Sequence, residues 1–348
     1  MFRFKLPPAR GRRCAVPRGW LAALPLAALS TQAVAGFFIP RDITMFMFTA
    51  SPDSQMAEVA HGLRANLSVA AGQSRYVSDD GLTERRYTTL QANWLVHRAY
   101  GSDGITNAYI YGGPLAARGS EFAGTHSGVH GGFWADHETR RIYARLSTHA
   151  YHAAGHTQVV TTAQGLWAPY AADYEDIATW FGLQAERRSG LTAATQITPL
   201  LRLFQRRWWV DVGVSVNREH RGDAFVNLML LFELKGNAMN KIKFFIMTIA
   251  LSLTAIPVLG ASTIKMQVEG LVCAFCGSAI EKKLRSNAAT ADVLVSLEHK
   301  IVALSLKDGQ DIADDTLRTQ ITDAGYQVKK IERVPDTLDS LRAALKGR

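Results

Sequence analysis

Cysteine is scarce in this 348-residue chain: there are three, Cys14, Cys273 and Cys276. So few cannot make a disulfide framework, and a Cys-x-x-Cys spacing is that of a ligand pair or a redox pair. Also missing are a Gly-rich phosphate loop, a nucleophile elbow and paired carboxylates placed for acid–base work, so the residues indicate no enzyme. Long apolar runs are few. Leu21 to Leu29 is too short to cross a bilayer, and Phe244 to Leu259 is about the minimum length. The net charge of +9 does not mark a nucleic-acid surface. From Ser262 onward, 13 Lys and Arg face 12 Asp and Glu. Part of the excess is Arg3, Lys5, Arg10, Arg12, Arg13 and Arg18, ahead of an apolar run, where a secretory signal carries its basic start.

Residues 1–35 therefore read as a signal peptide, with Ala33-Val34-Ala35 as the cleavage site. The pattern recurs at 239–261. Met239-Asn-Lys-Ile-Lys243 is a short basic start, followed by the apolar run and by small residues around Gly260. Two explanations stand: two neighbouring reading frames joined near 233–238, or a membrane-spanning tether. Both place the products in the cell envelope.

Between them, residues 36–232 show period-two alternation, the mark of half-buried strands. Leu63, Ala65, Leu67 and Val69 form one such row, and Leu90, Ala92, Trp94 and Val96 another, interleaved with Gln91 and Asn93. Ile142, Ala144 and Leu146 alternate with Tyr143, Arg145 and Ser147, and Val210 to Val216 with Asp211, Gly213 and Ser215. Turn-forming stretches at 78–81, 101–104, 188–190 and 218–222 separate the rows. A signal peptide, strands of about ten residues, and a last strand with apolar residues at 224, 226, 228, 230 and a terminal Phe232 resemble a bacterial outer-membrane β-barrel. The expectation is an all-β barrel of about eight to ten antiparallel strands, mostly filled by side chains; a soluble periplasmic β-protein is the alternative. Six histidines, His126, His130, His137, His149, His152 and His156, crowd one stretch. They are either a metal-collecting surface or polar lining of loops and lumen, and their spacing matches no compact ligand set.

After residue 262 the pattern changes. Ile264, Met266 and Val268 begin a strand, and Gly270-Leu-Val-Cys-Ala-Phe-Cys276 is a loop entering a helix with Ala279, Ile280 and Leu284 on its apolar face. Two strands follow (Val293 to Leu297, Ile301 to Leu306), then a helix stopped by Gly325 and a strand to Val334. That order, βαββαβ, is the ferredoxin-like α+β arrangement. Residues 335–348 place Leu338, Leu341 and Leu345 at helical spacing.

Gly270-Leu-Val-Cys273-Ala-Phe-Cys276 and Asp323-Ala-Gly-Tyr326 make residues 262–334 resemble the heavy-metal-associated domain family of copper chaperones and periplasmic mercury-binding proteins. Leu271 stands where that family has methionine. The resemblance implies binding and transfer of a soft metal ion by Cys273 and Cys276, with a metal-transporting ATPase or another thiol-bearing acceptor as partner. The chemistry is consistent with this. A helix start favours thiolates, and two sulfurs suit Cu(I) or Hg(II) better than Zn(II), which needs a fuller shell. Leu271 is expected beneath the loop, and Tyr326 either beside the site or as a plain core aromatic. A thiol–disulfide oxidoreductase and a closed structural disulfide are the competing readings of the same pair.

Overall fold

The computed structural model describes residues 39–232 and 263–346. The signal-peptide segment 1–35, the junction 233–238 and the second apolar segment 239–261 lie outside them.

Twelve antiparallel strands form a closed barrel in simple up-and-down order. They are β1 (Thr44–Ser51), β2 (Ser54–Arg64), β3 (Leu67–Val77), β4 (Glu84–Tyr100), β5 (Gly104–Gly119) and β6 (His126–Thr139), then β7 (Ile142–Ala153), β8 (His156–Trp167), β9 (Ala178–Ser189), β10 (Gln196–Gln205), β11 (Trp208–Val214) and β12 (Ala224–Phe232). β1 closes on β12 with Thr44 opposite Phe232, so no sheet edge is left to pair elsewhere. The expectation of eight to ten strands is corrected to twelve, for two local reasons. The alternating row 63–69 is two strands, because the chain reverses at Ala65-Asn66 and a two-residue hairpin preserves the alternation through the bend. In β5 and β6, Gly112, Gly113, Gly128, Gly131 and Gly132 interrupt the apolar row without interrupting pairing. Gly132 has a steric reason: a Cβ there would come within 2.0 Å of the Thr148 carbonyl and 2.9 Å of the Tyr111 ring, which crosses the backbone at this point.

Side chains alternate about the wall as pleating requires. On β4, Leu90, Trp94 and Val96 face out and are exposed, while Gln91 and Asn93 face in and are buried. On β11, Val212 and Val214 face out and Asp211 in. Asn107, Asp136, Glu138, Gln158, Gln164, Gln184 and Arg202 are likewise buried inside. The outside carries Val59, Val69, Ile110, Val129, Phe133, Leu146, Leu183 and Val226. A water-soluble barrel would not show so many apolar side chains outward and so many charged ones inward. The rim holding both ends of the barrel carries the connections 65–66, 101–103, 140–141, 206–207 and the longer 168–177. Exposed Trp94, Trp167, Tyr170 and Phe181 lie toward this rim.

The second part comprises β13 (Thr263–Glu269), α1 (Ala274–Arg285), β14 (Thr290–Ser296), β15 (Ile301–Leu306), α2 (Asp314–Asp323), β16 (Gln327–Val334) and α3 (Leu338–Lys346). Its four strands form a separate sheet ordered β14-β15-β13-β16, with antiparallel neighbours throughout. Ile264, Met266, Ile280, Leu284, Val302, Leu304, Leu317 and Ile321 make a dry core between sheet and helices. Gly325, at φ 88°, ends α2 and lets Tyr326 N–H return to the Ile321 carbonyl at 3.0 Å.

This domain sits against the rim that holds the barrel ends. Phe275 stacks on Phe204 with ring centroids 4.4 Å apart and lies 5.5 Å from Trp209. Leu297 N–H donates to Asp173 at 2.7 Å, and Arg98 donates to the Gly325 carbonyl at 3.0 Å. The Tyr174 hydroxyl donates to the Glu281 carboxylate. Burial, then the negative charge of Glu281, holds that phenol well above its usual pKa, so it stays protonated and able to donate.

Candidate functional site: the barrel lumen and the Cys273 loop

Inward polar residues of adjacent strands, and of strands one further apart, meet in the lumen. The Arg202 guanidinium binds Asp211 in bidentate fashion, at 2.6 and 2.9 Å, and also reaches Gln164 at 3.1 Å. Asn227 donates to the same Asp211 carboxylate at 3.1 Å. Arg202 also lies over the Trp209 ring, 4.6 Å from its centroid, and over Tyr143 at 5.1 Å. A guanidinium matched in this way satisfies its charge and gives up little rotamer freedom. Nearer the other rim, Arg188 binds Asp53 at 2.6 Å, Gln196 at 2.9 Å and Glu186 at 3.2 Å. These pairings tie neighbouring strands together, and Arg188–Asp53 joins β9 to the β1–β2 turn across the lumen.

Aromatic rings line one side. Tyr87 stacks on Tyr151 at 4.4 Å, His149 on Tyr151 at 4.1 Å and His130 on His149 at 5.0 Å. Between this side and the opposite wall is a cavity of about 130 Å³. Glu58, Gln91, Tyr111, Trp134, Arg145 and His149 are among its lining residues.

The six histidines do not converge. His130 and His149 face inward and share a hydrogen bond at 2.8 Å. His137 bonds Thr106 at 2.8 Å, and His152 bonds Thr157 at 2.8 Å; both are exposed on the outer face. His126 and His156 flank Phe122 near the other rim, with His156 3.7 Å from Glu121. Among the described residues, no group of three or more His, Cys, Asp or Glu is arranged to hold a metal ion.

In the small domain, Cys273 lies in the loop between β13 and α1, is only 3% exposed and is disulfide-bonded. It shares a crevice with Glu138, Arg140, Asp173 and Phe204 of the barrel and with Leu297. Cys276 lies on the first turn of α1; its side chain is outside the described part of the structure. Leu271 is fully buried in the core. Tyr326 is buried facing the barrel rim: its ring is 6.4 Å from that of Tyr100 and lies under the Arg98 guanidinium at 5.7 Å. In this state Cys273 matches the closed-disulfide reading of the Cys-x-x-Cys loop rather than the reduced, metal-binding one.

No motif singles out the inward lumen residues Glu58, Gln91, Arg145, Arg202 and Asp211. Their signal was present in the alternation, where Gln91, Arg145 and Asp211 are the polar members of apolar rows.

Taken together, closure, outward apolar side chains and a polar, charge-paired interior define a barrel whose outer surface is suited to lipid. No protein-family model matches the chain, and no curated protein matches it. Among solved structures, a KdgM porin and a KdgM porin in complex with disordered oligogalacturonate are similar to it. Each is 8% identical, with a TM-score of 0.32, over 55% of this chain and 99% of the other. Likeness at that level carries no functional conclusion.

Proposed function

We propose that residues 44–232 are an integral outer-membrane β-barrel that does not act as a wide diffusion pore. The observation that carries this is the inverted polarity of a fully closed sheet: Leu90, Trp94 and Val96 outside, Gln91 and Asn93 inside, repeated around the wall. Water would penalise that exterior, and a hydrocarbon surround would penalise the opposite arrangement. The Arg188–Asp53 brace, from β9 to the β1–β2 turn, crosses part of the bore that a wide channel would need open. Outer-membrane fractionation followed by electrophoresis of heated and unheated samples tests the reading. A folded barrel migrates differently before and after boiling. Recovery among soluble periplasmic proteins, with one mobility, overturns it.

A second reading concerns residues 263–334, and its support is the sheet order and loop position. The order βαββαβ with sheet order β14-β15-β13-β16 fits a ferredoxin-like domain, and Cys273 precedes α1 as in the heavy-metal-associated family. On this reading the reduced pair Cys273 and Cys276 binds Cu(I), with Hg(II) or Zn(II) as weaker alternatives, and passes it to a thiol-bearing acceptor such as a metal-transporting ATPase. The role is carriage in the periplasm, without catalysis. Anaerobic Cu(I) titration of the reduced full chain should give stoichiometric uptake that Cys273→Ser abolishes. Disulfide reduction without metal uptake favours an oxidoreductase instead.

Each part completes its own sheet, and among the described residues no strand pairs between the two. That independence supports two proteins joined at a reading-frame seam. An immunoblot with one band at the full-chain mass of 38.2 kDa sinks the two-protein account.

A further inference from the structure

We infer that the lumen cavity is a binding site for a small zwitterion with an apolar body, of the size and charge pattern of an aliphatic amino acid. The inference rests on the barrel reading above.

The reasoning begins with what the lining residues lack. Glu58 is 7% exposed and Gln91 5%, yet Glu58 Oε1 and Gln91 Oε1 accept no hydrogen bond within the protein. The two side chains touch, Gln91 Nε2 donating to Glu58 Oε2 at 3.3 Å, so their two free acceptors belong to one polar corner. Arg145, also on the cavity lining, rests on the Trp134 ring 4.4 Å from its centroid and leaves its buried Nε without an acceptor. Buried polar atoms are nearly always paired, and each exception calls for an explanation. Here the exceptions are complementary, acceptors from β2 and β4 and a cationic donor from β7, all facing one cavity.

The other charges on the lining are already matched. Asp211 is held by Arg202 and Asn227, and Glu186 by Arg188. Glu58 and Arg145 remain: opposite charges on one cavity that form no ion pair with each other. A ligand bearing an ammonium and a carboxylate satisfies both, its N–H groups donating to Glu58 and Gln91 and its carboxylate accepting from Arg145. Met47, Met56, Val160 and Phe225 complete the wall with apolar surface for the ligand's body. The volume of about 130 Å³ sets the size, since a cavity of about 150 Å³ holds one benzene. A metal ion is the poorer occupant, because the described residues offer no three-ligand set.

The test uses the full chain folded in lipid vesicles or micelles, with the folded fraction scored by heat-modifiable migration. L-valine, isobutylamine (no carboxylate) and isovalerate (no ammonium) are titrated calorimetrically. We expect saturable valine binding, with each truncated probe about tenfold weaker or worse, as expected when a charged hydrogen-bond partner is lost. Glu58→Gln and Arg145→Gln should each weaken valine to a similar degree, and Glu58→Gln should leave isovalerate unchanged. If Glu58→Gln does not fold, Gln91→Met removes the other free acceptor and takes its place. Heat-modifiable protein that does not bind valine, or binds all three probes alike, overturns the zwitterion site while leaving the barrel intact. Loss of the heat-modifiable band in the parent chain overturns the barrel reading itself, and this site with it.

Discussion

The barrel buries many polar and charged side chains beside its aromatic and apolar ones; the small domain buries few beyond Thr263, Ser278, Glu281, Thr290 and Ser296. Asp211, Arg202, Gln164 and Gln158 are as enclosed as Ile264, Leu304 and Ile280, yet the first set keeps a lumen braced and the second keeps a core dry. On the outer-membrane reading, the difference lies in what surrounds each sheet: a barrel facing lipid must turn its hydrogen-bonding groups inward, whereas a four-stranded sheet facing water folds because one face escapes it. Burial therefore identifies a core only once the solvent outside is known.

The comparison can be broken most forcefully inside the lumen. Asp211→Ala leaves the buried Arg202 guanidinium without its carboxylate and should destabilise the barrel by about 3–5 kcal/mol. Urea unfolding from vesicles reads this, and a change under 1 kcal/mol would show a lumen wet enough to solvate the charge. Next comes the outer face. Leu90→Arg, mid-strand and 60% exposed, should cost about 2–4 kcal/mol in a bilayer; no measurable loss there means that lipid does not contact this face. In the small domain, Ile264→Val should cost about 0.5–1.5 kcal/mol by the loss of one buried methylene. It should lower that domain's own melting transition and leave the barrel's heat-modifiable migration untouched; a shift in both transitions makes the two parts one cooperative unit.

The smallest effect is one of pH. Burial raises the Asp292 pKa, but hydrogen bonds from Val293 N–H, Arg285 and Arg342 outweigh it and leave the carboxyl below its usual 3.8. A depressed carboxylate stabilises the fold above its unfolded pKa, and that stabilisation is lost as pH falls through the folded value. The small domain should thus weaken below about pH 4, and Asp292→Asn should flatten that slope. Circular-dichroism melts across pH 2.5 to 6 (roughly one unit either side of the usual carboxyl range) decide it, and an unchanged slope removes Asp292 from the account.

Much of the wall was legible beforehand because pleating is local: Leu90, Ala92 and Trp94 around Gln91 and Asn93 need only the chain's own period of two. Strand count was not, since the Ala65-Asn66 reversal preserves alternation and the glycines of β5 and β6 erase it. The order of elements after residue 262 was readable from apolar spacing. The state of Cys273 was not, because Asp173, Phe204 and Arg140 cover it from the other half of the chain.

The residues alone determined which segments alternate, which side of each strand is apolar, and where a Cys-x-x-Cys loop meets a helix, all properties of neighbours within a few positions. Tertiary structure decided that twelve strands close, that Glu58 reaches Gln91 from 33 positions away and Tyr174 reaches Glu281 from 107, and that one cysteine is sealed. Such meetings depend on curvature and register summed over the whole sheet, and no local pattern encodes that sum.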